Sequence, residues 1–110
     1  MFVVKQSDSY LWPVEVKLPD NGEFKTHTFK VEFKRVTRTR LAEIIAMAPA
    51  ETLSAIAECI IGWKEVVGED KKEIQFSASA LDSLLDNPHV AGAIAGAFFS
   101  SFDAEKRKNS

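Results

Sequence analysis

The chain has 110 residues, of which 45% are hydrophobic and 27% are charged, with a formal net charge of −2. This is the length of one domain and the composition of a folded globular protein, so disorder throughout the chain is excluded. The longest apolar run, residues 90–99, is about half as long as a membrane-spanning helix requires, and the small net charge does not indicate a polyanionic partner.

The composition changes at Arg40. Residues 1–40 contain no alanine and have eight Lys/Arg against five Asp/Glu, a net charge of +3, whereas residues 41–110 contain 13 alanines and have six against 11, a net charge of −5. Because valine, phenylalanine and threonine favour strands and alanine favours helices, the sequence predicts an α+β fold in a single domain, 1–110. We expect an N-terminal antiparallel β-hairpin in 1–40, with room for a short third strand at Phe2-Val3-Val4. It packs on a bundle of about four helices in 41–104, and 105–110 form a flexible C-terminal segment.

The predicted hairpin runs from about Leu11 to Val36. Apolar residues alternate with polar ones in both of its strands, at Val14, Val16 and Leu18 and again at Phe29, Val31 and Phe33. Between the strands, Asn21-Gly22 favours a type I′ turn. Phe24 has the opposite parity from Phe29, so either a β-bulge lies near 26–28 or Phe24 faces away from the core.

Two helices are predicted directly after the hairpin. Thr37 or Thr39 can cap the first, whose apolar positions are Leu41, Ile44, Ile45 and Ala48, and Pro49 ends it. Pro49 also suits the first turn of the second helix, which is expected to continue to Gly68. Apolar residues recur in this helix at spacings of three and four and form a stripe along one face. The stripe consists of Leu53, Ile56, Ile60, Trp63 and Val67.

A third and a fourth helix are predicted after a charged loop at 69–73. Ser77 is a candidate N-cap for a short helix that carries Leu81, Leu84 and Leu85. Asn87-Pro88 has the pattern of an N-cap followed by a first-turn proline, and this last helix is expected to reach about Ala104. It contains a Gly-x-x-x-Gly motif, Gly92 to Gly96, which we interpret as a site of close helix packing.

Few residues suggest catalysis, and no cofactor or metal is expected. His27 and His89 have no neighbours at metal-ligand spacing, and the sequence contains no CxxC, HExxH, GxSxG, P-loop or GxGxxG motif. Cys59, the single cysteine, lies beside the apolar stripe and is interpreted as a small buried residue. A lone thiol and an N-terminus without a secretory signal pattern favour a reducing compartment.

A basic stretch provides an alternative hypothesis, a small nucleic-acid-binding regulator that uses the hairpin. Six cations lie within sixteen residues and alternate with phenylalanines: Lys25, Lys30, Lys34, Arg35, Arg38 and Arg40. However, the alternation puts Phe29 and Phe33 on the core face, where they cannot stack on bases. In addition, residues 41–110 have a net negative charge, which repels a polyanion such as a nucleic acid. The sequence therefore disfavours nucleic-acid binding.

The order of several motifs resembles a known family. Phe33-Lys34-Arg35 ends the hairpin, and the following motifs are Trp63-Lys64-Glu65-Val66-Val67, Phe76-Ser77, Leu81-x-x-Leu84-Leu85-Asp86-Asn87-Pro88-x-Val90 and Ala93-Ile94-x-x-Ala97-Phe98, with Lys108-Asn109 near the end. Over roughly Leu11 to Asn109 this resembles the small tail assembly chaperones of long-tailed phages and prophages. The resemblance is specific because of the order and spacing of the motifs, since none of the motifs is a catalytic one.

The resemblance implies a non-enzymatic protein of the host bacterial cytoplasm that assists tail assembly and is missing from the mature virion. These chaperones are thought to cover the long helical tape measure protein and to help deliver the major tail tube protein. Some are also made in a longer frameshifted form. An alternative is a minor tail or connector structural protein, and self-association is compatible with the exposed Ala/Gly faces and hairpin edges.

Four aromatic residues are predicted to include the partner contacts. The last helix has more apolar surface than one core face requires, because Phe99 projects about 100° from Phe98. We therefore expect contacts among Trp63, Phe98, Phe99 and Phe102, of which at least two must be core. The alternative is that all four are ordinary core residues, and the role of each stays open at this point.

Overall fold

A computed structural model describes residues 2, 4 and 6–104. The element order is β1 (Ser9–Asp20), β2 (Glu23–Lys34), α1 (Arg38–Ala46), α2 (Pro49–Glu58), β3 (Ile60–Lys64), α3 (Ala78–Leu85) and α4 (Pro88–Ser100). The three strands form one antiparallel sheet in the order β1-β2-β3. The predicted α+β architecture, with an N-terminal hairpin and four helices, is confirmed.

The hairpin has an uninterrupted register from the Ser9–Lys34 pair to the Asp20–Glu23 pair. Asn21 and Gly22 have φ values of 52° and 83°, which is the combination that a type I′ turn requires. No bulge occurs between the two strands, so the second alternative for Phe24 is correct. Its side chain is 68% exposed and faces away from the core.

The third strand is not where the sequence placed it. The prediction of an edge strand at Phe2-Val3-Val4 falls partly on Val3, outside the described residues, and Phe2 and Val4 are exposed and lie in no strand. The third strand is β3, taken from a region predicted as helix: α2 ends at Glu58, and residues 60–64 pair with β2. Their apolar spacing fits a helix, but Ile60 and Ile61 are β-branched and Gly62 disfavours a helix interior. Pairing with the free side of β2 therefore prevails over the helical pattern.

The predicted helix starts are confirmed. Thr37, Ser77 and Asn87 accept hydrogen bonds from first-turn N–H groups, and Pro49 and Pro88 occupy the first turns of α2 and α4. The last helix is shorter than predicted, since α4 ends at Ser100 rather than near Ala104. The predicted C-terminal segment 105–110 lies outside the described residues.

The core lies between one face of the sheet and the helices. Val14, Val16, Phe29, Val31 and Phe33 are buried on that face, as the alternation predicted. Helix α4 and its C-cap residue Ser101 contact the sheet at three points. On β1, Tyr10 Oη lies 2.8 Å from Ser101 Oγ and the Trp12 indole N–H donates to Ser100 Oγ at 3.3 Å; on β2, the Phe33 ring contacts the Phe98 ring. The helices therefore cover the inner sheet face.

Candidate partner-binding surface

The four predicted contact residues differ in exposure. Phe98 is 0% exposed and lies in the core, so it has no surface to offer a partner in this conformation. Phe102, one turn further along the chain, is 44% exposed and packs against the Phe98 ring with 5.2 Å between centroids. Trp63 and Phe99 are partly buried and pack against the core.

Trp63 lies in β3 rather than in a helix, and its contacts are largely internal. The indole N–H donates to the Ile74 carbonyl oxygen at 2.7 Å, and the ring meets Phe76 edge to face with 5.1 Å between centroids. These contacts hold the segment after β3 against the end of the sheet. The geometry thus gives Trp63 a structural role, with its remaining exposed surface available for binding.

Phe99 lines an open apolar depression of about 470 Å³ between three helices. We call it the α1–α2–α4 groove; its lining residues are Ile44, Ile45, Met47, Pro49, Thr52, Leu53, Ala95 and Phe99. Thr52 supplies the one side-chain hydroxyl, and no charged residue lines the groove. The groove thus offers dispersion contacts and apolar burial rather than directed polar recognition.

The groove has its form because the chain turns sharply at Pro49. Residues 44–50, Ile-Ile-Ala-Met-Ala-Pro-Ala, contain no polar or charged side chain. Ile44 and Ile45 project about 100° apart on the helix, so Ile44 is fully buried while Ile45 is 64% exposed. The corner is fixed by the Thr52 hydroxyl, which lies 3.1 Å from the Ala48 carbonyl oxygen and 3.3 Å from those of Ile44 and Met47.

A charged rim lies beside the groove. A second, smaller depression shares Met47 with it and is lined by Arg40, Glu51 and Glu58, among other residues. The Arg40 guanidinium lies 3.2 Å from the Glu43 carboxylate and 3.9 Å from that of Glu58. An apolar floor with a charged border is the usual anatomy of a protein-binding surface.

Sequence reasoning included Phe99 but missed Ile45, Met47 and Leu53 as groove residues. It assigned Ile45 to the buried face of the first helix and Leu53 to the stripe of the second. The sequence signal for this surface was residues 44–50, which contain no polar or charged side chain. Seven such residues cannot all be buried in a corner between two short helices, so some of them form an exposed apolar surface. Ala95 and Phe99 reach the same place only through the tertiary packing of α4.

The Gly-x-x-x-Gly motif does not act as predicted. A Cβ atom built on Gly92 or Gly96 meets no atom within 4 Å, and both residues are exposed. Among the described residues, no helix of this chain therefore packs closely on that face of α4. The interpretation as an internal packing site is wrong because α4 turns these glycines outward and buries Val90, Ile94 and Phe98 instead.

The two phenylalanines within the basic stretch 25–40 are not exposed, whereas Phe24, just before that stretch, is 68% exposed. Phe29 is 8% exposed and Phe33 is 0% exposed, both on the face that the helices cover. Lys30 and Lys34 lie on the opposite face, and Lys30 is 3.7 Å from the Glu65 carboxylate. The prediction that these rings lie on the core face is confirmed, so they cannot stack on bases.

Cys59 is buried at the end of α2, as predicted, and its thiol lies 3.4 Å from the Ala55 carbonyl oxygen. Burial raises the pKa of this thiol above its ordinary value, although Lys34 and Arg40 act in the opposite direction. A buried thiol of raised pKa is a poor nucleophile. Over residues 2, 4 and 6–104, no group of three or more His, Cys, Asp or Glu side chains is placed to hold a metal ion.

Within the same part of the chain, none of the helices is both long and apolar enough to cross a bilayer. Comparison of the chain with protein-family models, with curated proteins and with solved structures gave no match.

Proposed function

We propose that this protein is a non-enzymatic phage tail assembly chaperone and that its α1–α2–α4 groove binds an amphipathic helix of the tape measure protein. The observation that carries the proposal is the groove itself, an apolar floor with the 64% exposed Ile45 at its edge and Phe99 in its wall. The resemblance in the order of motifs supplies the identity of the partner. The same resemblance implies a location in the host bacterial cytoplasm and absence from the mature virion, which we include in the proposal.

An amphipathic helix fits this surface on physical grounds. Such a helix presents apolar side chains at i, i+3, i+4 and i+7, and a groove between helices accepts a row of this kind. Full burial of an isoleucine contributes roughly 1.5–3 kcal/mol, so burial of the 64% of Ile45 that is exposed would contribute roughly 1–2 kcal/mol, and few directed polar contacts are needed. A protein that covers many segments of one long helix benefits from an apolar groove lining, because such a lining accepts helix segments of different sequence.

The charged rim would set the orientation of the bound helix. Arg40 has two carboxylates within 4 Å, so an acidic residue of the partner would compete with Glu43 and Glu58 for it. Exposed charge pairs of this kind contribute little to affinity but influence the rate of association and the register. Delivery of the major tail tube protein, which the resemblance also implies, would use a surface other than the occupied groove.

The experiment is co-expression with the tape measure gene of the same locus, followed by affinity purification of the soluble complex. The variant Ile45→Glu places a charge at the edge of the groove, on a side chain that is already exposed, and we expect most of the complex to be lost. Ile61→Glu is the matched control, because Ile61 is also exposed, at 47%, but lies in β3 away from the groove. It should leave recovery unchanged.

Phe99→Glu tests the wall of the groove in the same assay. Since Phe99 is partly buried, circular dichroism must first show that the variant is folded. The proposal fails if the wild-type protein does not retain the tape measure protein. The groove is the wrong site if Ile45→Glu and Ile61→Glu reduce recovery equally, or if a folded Phe99→Glu leaves recovery unchanged.

A further inference from the structure

The outer part of strand β2 is not covered by the helices. Every residue from Asn21 to Thr28 is exposed, and the 12 residues of each strand account for most of the 45 Å long axis of the molecule. On the β1 side of this part of the hairpin, Val16 is buried and Leu18 packs against the core, whereas the β2 strand has water on both faces. The outer part of β2 has little to stabilise it apart from its cross-strand pairs with β1, so it is the part of the sheet that gains most from an added strand.

One edge of this part of the hairpin is open. β3 pairs with β2 only between Lys30 and Phe33, and the chain then turns away at Glu65, where φ is 66°. Residues 23–29 of β2 consequently have β1 on one side and, among the described residues, no strand on the other.

The backbone groups on the open edge can be identified from the hydrogen bonds around it. The Lys34 N–H donates to the Cys59 carbonyl oxygen at 2.7 Å, and the Arg35 N–H donates to the Asp8 carbonyl oxygen at 2.9 Å. Even-numbered residues of β2 thus direct their backbone groups away from β1, as the two-residue turn also requires. On the open edge these residues are Phe24, Thr26 and Thr28.

The edge of β1 on the other side of the sheet differs. By the same alternation, its odd-numbered residues direct their backbone groups outward, and two of them are Pro13 and Pro19. Proline has no N–H to donate, so this edge lacks two of the donors that an added strand would need. The open edge of β2 contains no proline.

We propose that two copies of this chain associate by antiparallel pairing of their β2 edges across a two-fold axis at Thr26, joining their two sheets into one of six strands. In this register Thr26 lies opposite Thr26 of the second copy, and Phe24 lies opposite Thr28. All three outward residues of each chain form hydrogen-bonded pairs, which gives six backbone hydrogen bonds between the copies.

The register is set by the ends of the open stretch. Residues 23–29 are centred on Thr26, and Lys30 already has Lys64 of its own chain beside it. With the axis at Thr26, the strand of the second copy ends at its Glu23 opposite Phe29, and only its turn residue Gly22, which is not needed for a hydrogen bond, reaches Lys30. Moving the axis by one residue toward Phe29 would bring Phe24 opposite the occupied Lys30, and moving it toward Glu23 would bring Thr28 opposite the turn residue Gly22. Either change leaves four backbone hydrogen bonds instead of six.

The side chains of the two edges are compatible with each other. On the outer face, an aromatic residue meets a β-branched one and threonine meets threonine, both favourable cross-strand pairs, with no charge among them. On the inner face, Lys25 lies opposite His27 of the second copy and keeps its own ion pair with Asp20 at 2.8 Å. Glu23 lies diagonal to the same histidine, so the charges introduced are of both signs.

The test is sedimentation of the purified protein alone over a concentration series, which does not depend on the groove or on the tape measure protein. We expect a reversible monomer–dimer equilibrium. Thr26→Pro removes an outward N–H and no hydrogen bond to β1, so the hairpin should remain while the dissociation constant rises about 30-fold or more, for the loss of two central hydrogen bonds. The matched control is Lys17→Pro, the same change at an outward position of β1, which should leave the equilibrium unaltered.

Amide hydrogen exchange separates this arrangement from others. In the dimer, exchange at Phe24, Thr26 and Thr28 should slow as concentration increases, while exchange at Glu15 and Lys17 should not. A wild-type protein that is monomeric at all concentrations would overturn the proposal, as would a dissociation constant that Thr26→Pro leaves unchanged. Protection of the β2 edge only after another protein is added would assign it to a different strand and would equally overturn self-pairing.

Discussion

Phe33 of β2 meets Phe98 of α4 edge to face, with ring centroids 5.4 Å apart at 72° and neither side chain exposed. This contact joins the sheet to the helical layer at the centre of the core. Because removal of a fully buried ring leaves a cavity, Phe98→Ala should lower the free energy of unfolding by about 3–5 kcal/mol. Urea unfolding measures the difference. Phe102→Ala, which truncates a ring 44% exposed, should cost clearly less, and equal losses would contradict the assignment of Phe98 to the core.

Trp63→Phe should loosen the segment after β3 without unfolding the protein. The variant keeps an aromatic ring against Phe76 but loses the indole N–H that donates to the Ile74 carbonyl oxygen. We expect a loss of about 0.5–1.5 kcal/mol. Faster amide exchange should be confined to the neighbourhood of Ile74, whose own N–H donates to the Val66 carbonyl oxygen at 2.8 Å. Exchange that accelerates uniformly over the sheet would indicate a global effect instead.

Gly92→Ala and Gly96→Ala should each raise the free energy of unfolding. Both glycines lie inside α4, and an added Cβ meets nothing within 4 Å. Alanine is favoured over glycine in a helix interior by about 0.5–1 kcal/mol, and thermal unfolding should detect the gain. Gly62→Ala is the contrasting control, because its Cβ would lie 3.1 Å from the Glu32 carboxylate, which accepts a 2.6 Å hydrogen bond from Ser9. If the free energy of unfolding rises equally in all three variants, the open space around Gly92 and Gly96 does not explain the stabilisation.

The buried thiol of Cys59 should make stability depend on alkaline pH. Burial raises its pKa in the folded state above the ordinary 9.0, so the folded protein holds this proton where the unfolded chain releases it. The contribution to stability is complete below the unfolded pKa and is lost as pH rises through the folded pKa. Unfolding of the wild type should therefore become easier, relative to Cys59→Ala, as pH rises above about 9. Parallel pH profiles for the two proteins would refute this assignment.

The hairpin and the helix starts were predictable because their signals are local. Asn21-Gly22 fixes the turn, and Thr37, Ser77 and Asn87 satisfy N–H groups within three residues of themselves. β3 was not predictable in this way. Its apolar spacing fits a helix, and its strand conformation depends on the free side of β2, nearly thirty residues earlier in the chain. Tertiary pairing decides such segments.

The candidate site was predictable only in part, for a similar reason. Phe99 was identified from its angle to Phe98 on one helix, which is a local relationship. The remainder of the groove depends on how α1 and α2 meet α4, and Ile45 becomes exposed only because Ile44 faces inward at that corner. The sequence alone could not show that Phe98 is the core residue and Phe99 the groove residue, because this assignment depends on the position of Phe33 in the sheet.

Pro13 and Pro19 have a consequence for the size of any assembly. A sheet that offers pairing groups along both edges can add chains without limit and grow into a fibre. Here, pairing through β2 uses the open edge of each chain and leaves the proline-bearing edge of β1 at both outer ends of the joined sheet. Growth therefore stops at two chains, and a long hairpin can remain exposed to water without becoming a template for aggregation.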